Sequence, residues 1–247
     1  MNKKAQVTLF VIVGILIVVF AMIYFLVLGN SSKELNLSDI SSINSFVRSC
    51  IETTGNEVIF EVAKGGGYYF PPELSISSGI PIYFVNGTSY VPSKKEIEDE
   101  ISFFVKESLF FCTRNFINFP EFNIVQEEIN VETIIEEESV TLKVNYPLRI
   151  EQGNKVILIN DFEETIDSRL GVIYDAVVEF ISGQKDYEGI CLNCLLELSF
   201  RRDFYVSMID YDDETTIFLI KDRDSIYDED YLIYAFANKY GVLENEK

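Results

Sequence analysis

The stretch Val140-Thr141-Leu142-Lys143-Val144-Asn145-Tyr146-Pro147-Leu148-Arg149-Ile150 alternates β-branched or aliphatic residues with polar ones, and Lys155-Val156-Ile157-Leu158-Ile159-Asn160-Asp161-Phe162 follows in the same style. Side chains of an extended chain point alternately to its two faces, so a near-alternating pattern reads as a strand with one buried and one wet face. Gly153-Asn154 lies between the two runs and predicts a hairpin. Residues 122–138 carry the same mixture and extend the prediction to a third long strand, with all three antiparallel.

Toward the N-terminus, Ile82-Tyr83-Phe84-Val85 and Thr88-Ser89-Tyr90-Val91 flank Asn86-Gly87. Asn-Gly tolerates positive φ at both positions, so a two-residue type I′ turn is expected there. Ser93 followed by Glu96 is a capping-box pattern that opens a helix running to about Asn118, with Ile97, Ile101, Phe104, Val105, Ser108, Phe111 and Cys112 on one face. Further back, Ile40, Ile43, Val47, Cys50, Ile51, Val58 and Val62 fall mostly at three- and four-residue steps. They predict an amphipathic helix over 39–64, irregular near Thr53-Thr54-Gly55 and stopped by Gly65-Gly66-Gly67. Residues 68–72 end in two prolines and are expected to be extended.

Toward the C-terminus, Ile166, Leu170, Ile173, Val177 and Ile181 predict a helix over 165–182, and a second is expected over 187–201. Residues 205–210, 216–221 and 232–239 read as closing strands, with Asp212-Asp213 turning between the first two. Helices segregated from antiparallel sheet place the class as α+β. The organised region is expected over 38–247, with a subdomain boundary near 118–165 if it divides in two.

Residues 7–28 are an unbroken apolar run of twenty-two residues without a charge, preceded by Lys3 and Lys4. At ~1.5 Å per residue such a helix is roughly 33 Å long, close to the ~30 Å hydrocarbon core of a bilayer. Basic residues favour the cytoplasmic flank. The expected topology is therefore a cytoplasmic N-terminus at 1–6, a single transmembrane helix at 7–28, a linker at 29–37 and an extracytoplasmic domain. A cleaved secretory signal is the alternative, but its apolar region is usually shorter and ends at small residues.

Excluding Lys3 and Lys4 leaves 18 basic against 40 acidic residues, so the part beyond the run carries about −22. Nucleic acid and anionic lipid surfaces would be repelled, leaving solubility at the surface, or recruitment of cations or a basic partner. An apolar fraction of 48% with 20 Phe and 14 Tyr argues for a core rather than disorder. The chain has no His, which removes the commonest general base and metal ligand and every Ser-His-Asp or Cys-His centre.

The four cysteines are Cys50, Cys112, Cys191 and Cys194, an even number in a chain expected to be exported. Cys50 and Cys112 each fall on the apolar face of a predicted helix, so a bridge between them is expected, stabilising by about 2–4 kcal/mol. Cys191-x-x-Cys194 reads as a structural disulfide or buried thiols, with a redox dithiol or half of a zinc site as alternatives. Gly65-Gly66-Gly67 follows a helix and ends in tyrosines, unlike a phosphate loop. Ser182-x-x-Lys185 matches a penicillin-interacting pattern without its partner motifs. Glu136-Glu137-Glu138 and residues 210–214 could attract Ca²⁺ but lack the spacing of a calcium loop. No cofactor or metal is expected. Asn30, Asn36 and Asn86 each begin an N-x-S/T pattern and are candidate glycan acceptors.

The opening Lys3-Lys4-Ala5-Gln6-Val7-Thr8-Leu9-Phe10 resembles the N-terminus of uncharacterised archaeal membrane-anchored surface proteins, and in part the class III, pilin-type leader. The resemblance implies cleavage between Ala5 and Gln6. It departs at Phe10, where that family carries a Glu at the fifth mature position. Val47-Arg48-Ser49-Cys50-Ile51, Ile80-Pro81-Ile82-Tyr83 and Val91-Pro92-Ser93-Lys94-Lys95-Glu96-Ile97 are similar to the same proteins and imply a shared domain without an activity. The functional expectation is a non-catalytic, membrane-anchored binding or assembly module, with a protein partner or self-association. A pilin-like filament subunit and an exported thiol–disulfide oxidoreductase using Cys191 and Cys194 are the alternatives.

Overall fold

The computed structural model describes residues 13–24, 37–187 and 189–241. Residues 13–24 form a helix, α1, whose side chains are all exposed. Among the described residues no helix is long and apolar enough to cross a membrane. The remainder of the apolar run lies outside the described residues, as do Lys3, Lys4, Ala5, Gln6, Phe10, Asn30 and Asn36.

The rest is an α+β fold built on two sheets. In chain order its elements are α2 (Leu37–Lys64), β1 (Ile82–Val85), β2 (Thr88–Ser89), α3 (Lys94–Thr113), β3 (Asn123–Gln126), β4 (Asn130–Ile135), β5 (Ser139–Gln152) and β6 (Lys155–Asp167). They continue with α4 (Leu170–Gln184), α5 (Leu192–Arg202), β7 (Tyr205–Asp210), β8 (Thr215–Tyr227) and β9 (Asp230–Lys239). The first sheet runs β2-β1-β9-β8-β7, with only the β1–β9 pair parallel. In the second sheet β5 is central, with β6 along one edge and β3 and β4 along the other. Helix α2 packs against α3, β6 and β9, so it ties the two sheets together. One buried cluster runs from Ile43 on α2 through Leu142 and Phe180 to Tyr240. A smaller one, Ile76, Ile217 and Ala237, lies under the segment that precedes β1.

Helix α2 is continuous through Thr53-Thr54-Gly55. The buried Thr54 hydroxyl donates to the Cys50 carbonyl at 2.7 Å, which removes the cost of burying it. Gly55 serves close approach instead of a break. A Cβ there would sit 2.5 Å from Leu142 Cδ1 and 2.6 Å from Ile166 Cδ1. The β1–β2 turn has φ 45° at Asn86 and 89° at Gly87, as an I′ turn requires. Ser93 and Glu96 form the reciprocal capping box at the start of α3.

Several boundaries differ from the sequence reading, each for a physical reason. Helix α3 stops at Thr113, because Arg114, Asn115 and Phe116 all take positive φ. Its buried face is Ile97, Ile101, Val105, Leu109 and Thr113, while Phe111 is 70% exposed. Residues 122–138 are two strands rather than one: the chain breaks at Glu127, whose N–H donates to the Pro147 carbonyl. Pro147 has no ladder donor and sits in a register shift of β5 between Asn145 and Leu148. Strand β6 runs on to Asp167, so Thr165 and Ile166 pair with β5 rather than open the helix. Ile166 fits both periods, and pairing opposite Val140 decides for the strand. Helix α5 begins at Leu192, not Tyr187. Strand β8 continues past Lys221 to Tyr227 through a shift between Asp222 and Ile226.

Candidate functional site

Helix α2 and the β8–β9 hairpin face each other across a cleft of about 610 Å³, within the size range of small-ligand sites. Helix α2 contributes Glu57, Phe60 and Glu61 at helical spacing, so the three share a face. The hairpin contributes Tyr227, Asp228, Asp230 and Tyr231. Phe60 and Tyr227 meet across the cleft with ring centroids 5.7 Å apart. At one end Tyr69 stacks on Phe104 at 3.9 Å.

The hairpin tip explains why those side chains converge. Tyr227 pairs directly with Asp230, which leaves Asp228 and Glu229 as a two-residue turn. They take φ of 50° and 69°, a backbone region in which glycine or asparagine is at ease and glutamate is not. A strained turn at a cleft is where function is worth seeking.

The cleft is acidic. Its lining holds Glu57, Glu61, Asp228 and Asp230 against two lysines. Lys64 lies 3.6 Å from Glu61, and Lys221 sits with its ammonium 4.1 Å from the Tyr231 ring centroid. Burial raises the Tyr227 hydroxyl pKa, and Glu57, Asp228 and Glu52 push it further up. Tyr227 therefore stays neutral in a negative field. The Lys221–Tyr231 contact shows the chemistry on offer: a cation over an aromatic face with carboxylates nearby. Among the described residues that line it, Ser108 makes no hydrogen bond to a carboxylate or lysine.

The residues singled out from sequence lie elsewhere. Cys50 on α2 and Cys112 on α3 form a disulfide, with Cα atoms 5.7 Å apart. Cys191 and Cys194 form a second one at the start of α5. Cys191 is buried at 2% exposure, and its sulfur accepts the Cys194 N–H at 3.2 Å. Cys194 is half-buried and packs against Gly183, where a Cβ would come within 3.3 Å of its sulfur. Asn86 is exposed at the tip of the β1–β2 hairpin. Gly66 and Gly67 form a close-packed turn: a Cβ on Gly66 would meet the Ala235 carbonyl at 2.3 Å, and the Gly66 carbonyl accepts the buried Tyr83 hydroxyl. Ser182 and Lys185 are exposed at the end of α4. Among the described residues no group of three or more Cys, Asp or Glu side chains is placed to hold a metal ion. In the 210–214 corner, Asp212 Oδ1 accepts the Glu214 N–H at 2.9 Å and so closes the turn.

Sequence reasoning missed the cleft, because its two walls are far apart in the chain. The one local signal was Tyr227-Asp228-Glu229-Asp230-Tyr231, two tyrosines symmetric about three acidic residues. It reads as a turn only if the strand before it is extended beyond Lys221. No family model, curated protein or solved structure matches the chain.

Proposed function

We propose that the chain is a single-pass, membrane-anchored protein whose extracytoplasmic α+β domain is a non-catalytic binding module for a cationic ligand. The observation that carries this reading is the cleft between α2 and the β8–β9 hairpin, where Glu57, Glu61, Asp228 and Asp230 surround Phe60, Tyr227 and Tyr231. Carboxylates supply long-range attraction, and the ring faces supply a desolvated seat for an ammonium or guanidinium group. The net charge of −20 works in the same direction by drawing cations to the molecule. Two features support the placement: the charge-free run over 7–28 with Lys3 and Lys4 before it, and the exposed apolar side chains of α1 such as Ile17, Phe20 and Met22.

The test uses the full chain in detergent micelles, titrated at low ionic strength with spermidine and with a decalysine peptide. Saturable binding is expected, weakened several-fold by Glu57→Gln and by Asp228→Asn. Binding unchanged in both variants would remove the cleft as the site. Protease added to intact cells should digest the domain, and full protection until lysis would overturn the placement.

A further inference from the structure

We propose that β7 is a self-association edge, at which two copies of this chain join their five-stranded sheets into one continuous sheet. This goes beyond the cleft and rests on different residues.

An edge strand offers a row of unpaired N–H and C=O groups, and proteins blunt such edges with lysine, proline, bulges or a covering element. The fold does so at three other edges. Strand β2 is two residues long. The outer edge of β4 is covered by α3: the Thr133 N–H donates to Ser102 Oγ at 3.0 Å and the Ile135 N–H to Glu98 Oε1 at 3.0 Å. Strand β6 carries Lys155, Asp161, Glu163, Glu164 and Asp167. Strand β7, Tyr205-Val206-Ser207-Met208-Ile209-Asp210, has no lysine, proline or bulge, and among the described contacts no neighbouring element hydrogen-bonds to its outer edge. It closes its sheet and pairs with β8 over all six residues without a shift. Tyr205, Met208 and Ile209 are 60%, 46% and 49% exposed on it.

Helix α5 leads directly into this strand and packs against it. Its inner side buries Leu195 and Leu198. Its outer side presents Leu192, Leu196 and Phe200 at four-residue steps, a single stripe with Phe200 90% exposed. The open strand and the apolar helix stripe therefore adjoin one another.

Charge selects the occupant. The whole chain has twice as many acidic as basic residues, so two copies repel each other over most of their surface. Residues 192–210 hold three acidic and two basic residues, and Arg201 is paired with Glu197 at 3.1 Å and with Glu179 at 2.8 Å. This near-neutral, apolar edge is where a second copy can approach. A two-fold axis perpendicular to the sheet at Ser207 would pair β7 antiparallel with itself, place Ser207 directly opposite its own copy on one face, and set α5 beside its copy, so the same residues satisfy each other from both sides.

The test exploits the cysteines. All four are in disulfides, so a new cysteine is the only free thiol. Ser207→Cys, in full-length protein in native membranes, should cross-link under mild oxidant to twice the chain mass. The yield should be several-fold above that of Asn154→Cys at the β5–β6 turn. Adding Leu196→Asp and Phe200→Asp should abolish the product while the circular dichroism spectrum is unchanged. Equal yields from Ser207→Cys and Asn154→Cys, a product of another mass, or cross-linking insensitive to the two Asp substitutions would each overturn the proposal. A dimer held only by the membrane segment would give the last of these results.

Discussion

Arg169, just before α4, holds Asp222 of β8 with Nη1 2.7 Å from Oδ1, and the Asp222 side chain is wholly buried. The same guanidinium reaches Asp224 at 2.9 Å, donates to the Arg202 carbonyl at 2.7 Å and lies 4.9 Å from the Phe204 ring centroid. Ser225 completes the network by donating to Asp222 Oδ2 at 2.6 Å while accepting the Arg169 N–H at 2.8 Å. One cation thus locks the entry of α4, the shifted part of β8 and the end of α5 together.

A buried pair of this kind is costly to break from one side, because the remaining charge loses its partner without regaining water. Asp222→Ala and Arg169→Ala should each lower stability by about 3–5 kcal/mol. The double variant should cost much less than the sum. Urea unfolding of the three variants measures this; additive losses would show that the two residues act separately.

The β8–β9 turn makes the opposite kind of prediction. Glu229 sits at φ 69° with no side-chain hydrogen bond to stabilise that conformation among the described contacts. Glu229→Gly removes a left-handed penalty of about 1–2 kcal/mol and adds back the extra unfolded-state freedom of glycine. A net gain of about 0.5–1 kcal/mol is expected in thermal or urea unfolding. Glu229 does not line the cleft, so affinity for decalysine should change less than twofold. A loss of stability would mean that the turn is held by something other than chain geometry.

Legibility in the sequence tracked how local each decision is. The Asn86-Gly87 turn and the Ser93–Glu96 box are set within a few residues, and both form as the local chemistry dictates. Strand β7 is followed by the Asp212-Asp213 turn and matches its expected bounds. Ile166 and Thr165 were ambiguous because an apolar residue every three or four positions and one every second position can coincide over so short a span; only the partner Val140 decides. Asp222 ended the expected strand at Lys221, since a buried aspartate makes sense only once Arg169, 53 residues away, is known to meet it. The cleft was illegible for the same reason: Phe60 and Tyr227 become neighbours only once α2 packs beside the β8–β9 hairpin.

The capping box at α3 sets a pH dependence. The Ser93 N–H donates to Glu96 Oε2 at 2.7 Å and the hydroxyl at 2.8 Å, and these bonds hold the Glu96 carboxyl below its ordinary value of 4.5. A group whose pKa is lowered by folding stabilises above its unfolded pKa, and that contribution is lost as pH falls through the folded value. Ser93→Ala should cost about 1 kcal/mol at pH 7. Glu96→Gln should be less stable than the wild-type protein above about pH 4.5, with the difference closing as pH falls below it. A difference that widens on acidification would contradict the assigned bonds.

The two disulfides should differ in weight. Cys50–Cys112 spans a separation of 62 residues and joins α2 to α3, whereas Cys191–Cys194 spans 3. In the chain-entropy account a cross-link stabilises by restricting the unfolded chain, and the restriction grows with the logarithm of the loop. Replacing Cys50 and Cys112 by alanine should cost about 2–4 kcal/mol, roughly 2 kcal/mol more than the same change at Cys191 and Cys194. The measurement is urea unfolding of both double variants, with non-reducing peptide mapping of the parent to locate the bridges. Free thiols at Cys50 and Cys112 in the mature protein would remove the staple between the helices. Equal losses from the two double variants would mean that packing around the sulfurs, rather than chain restriction, sets their contribution.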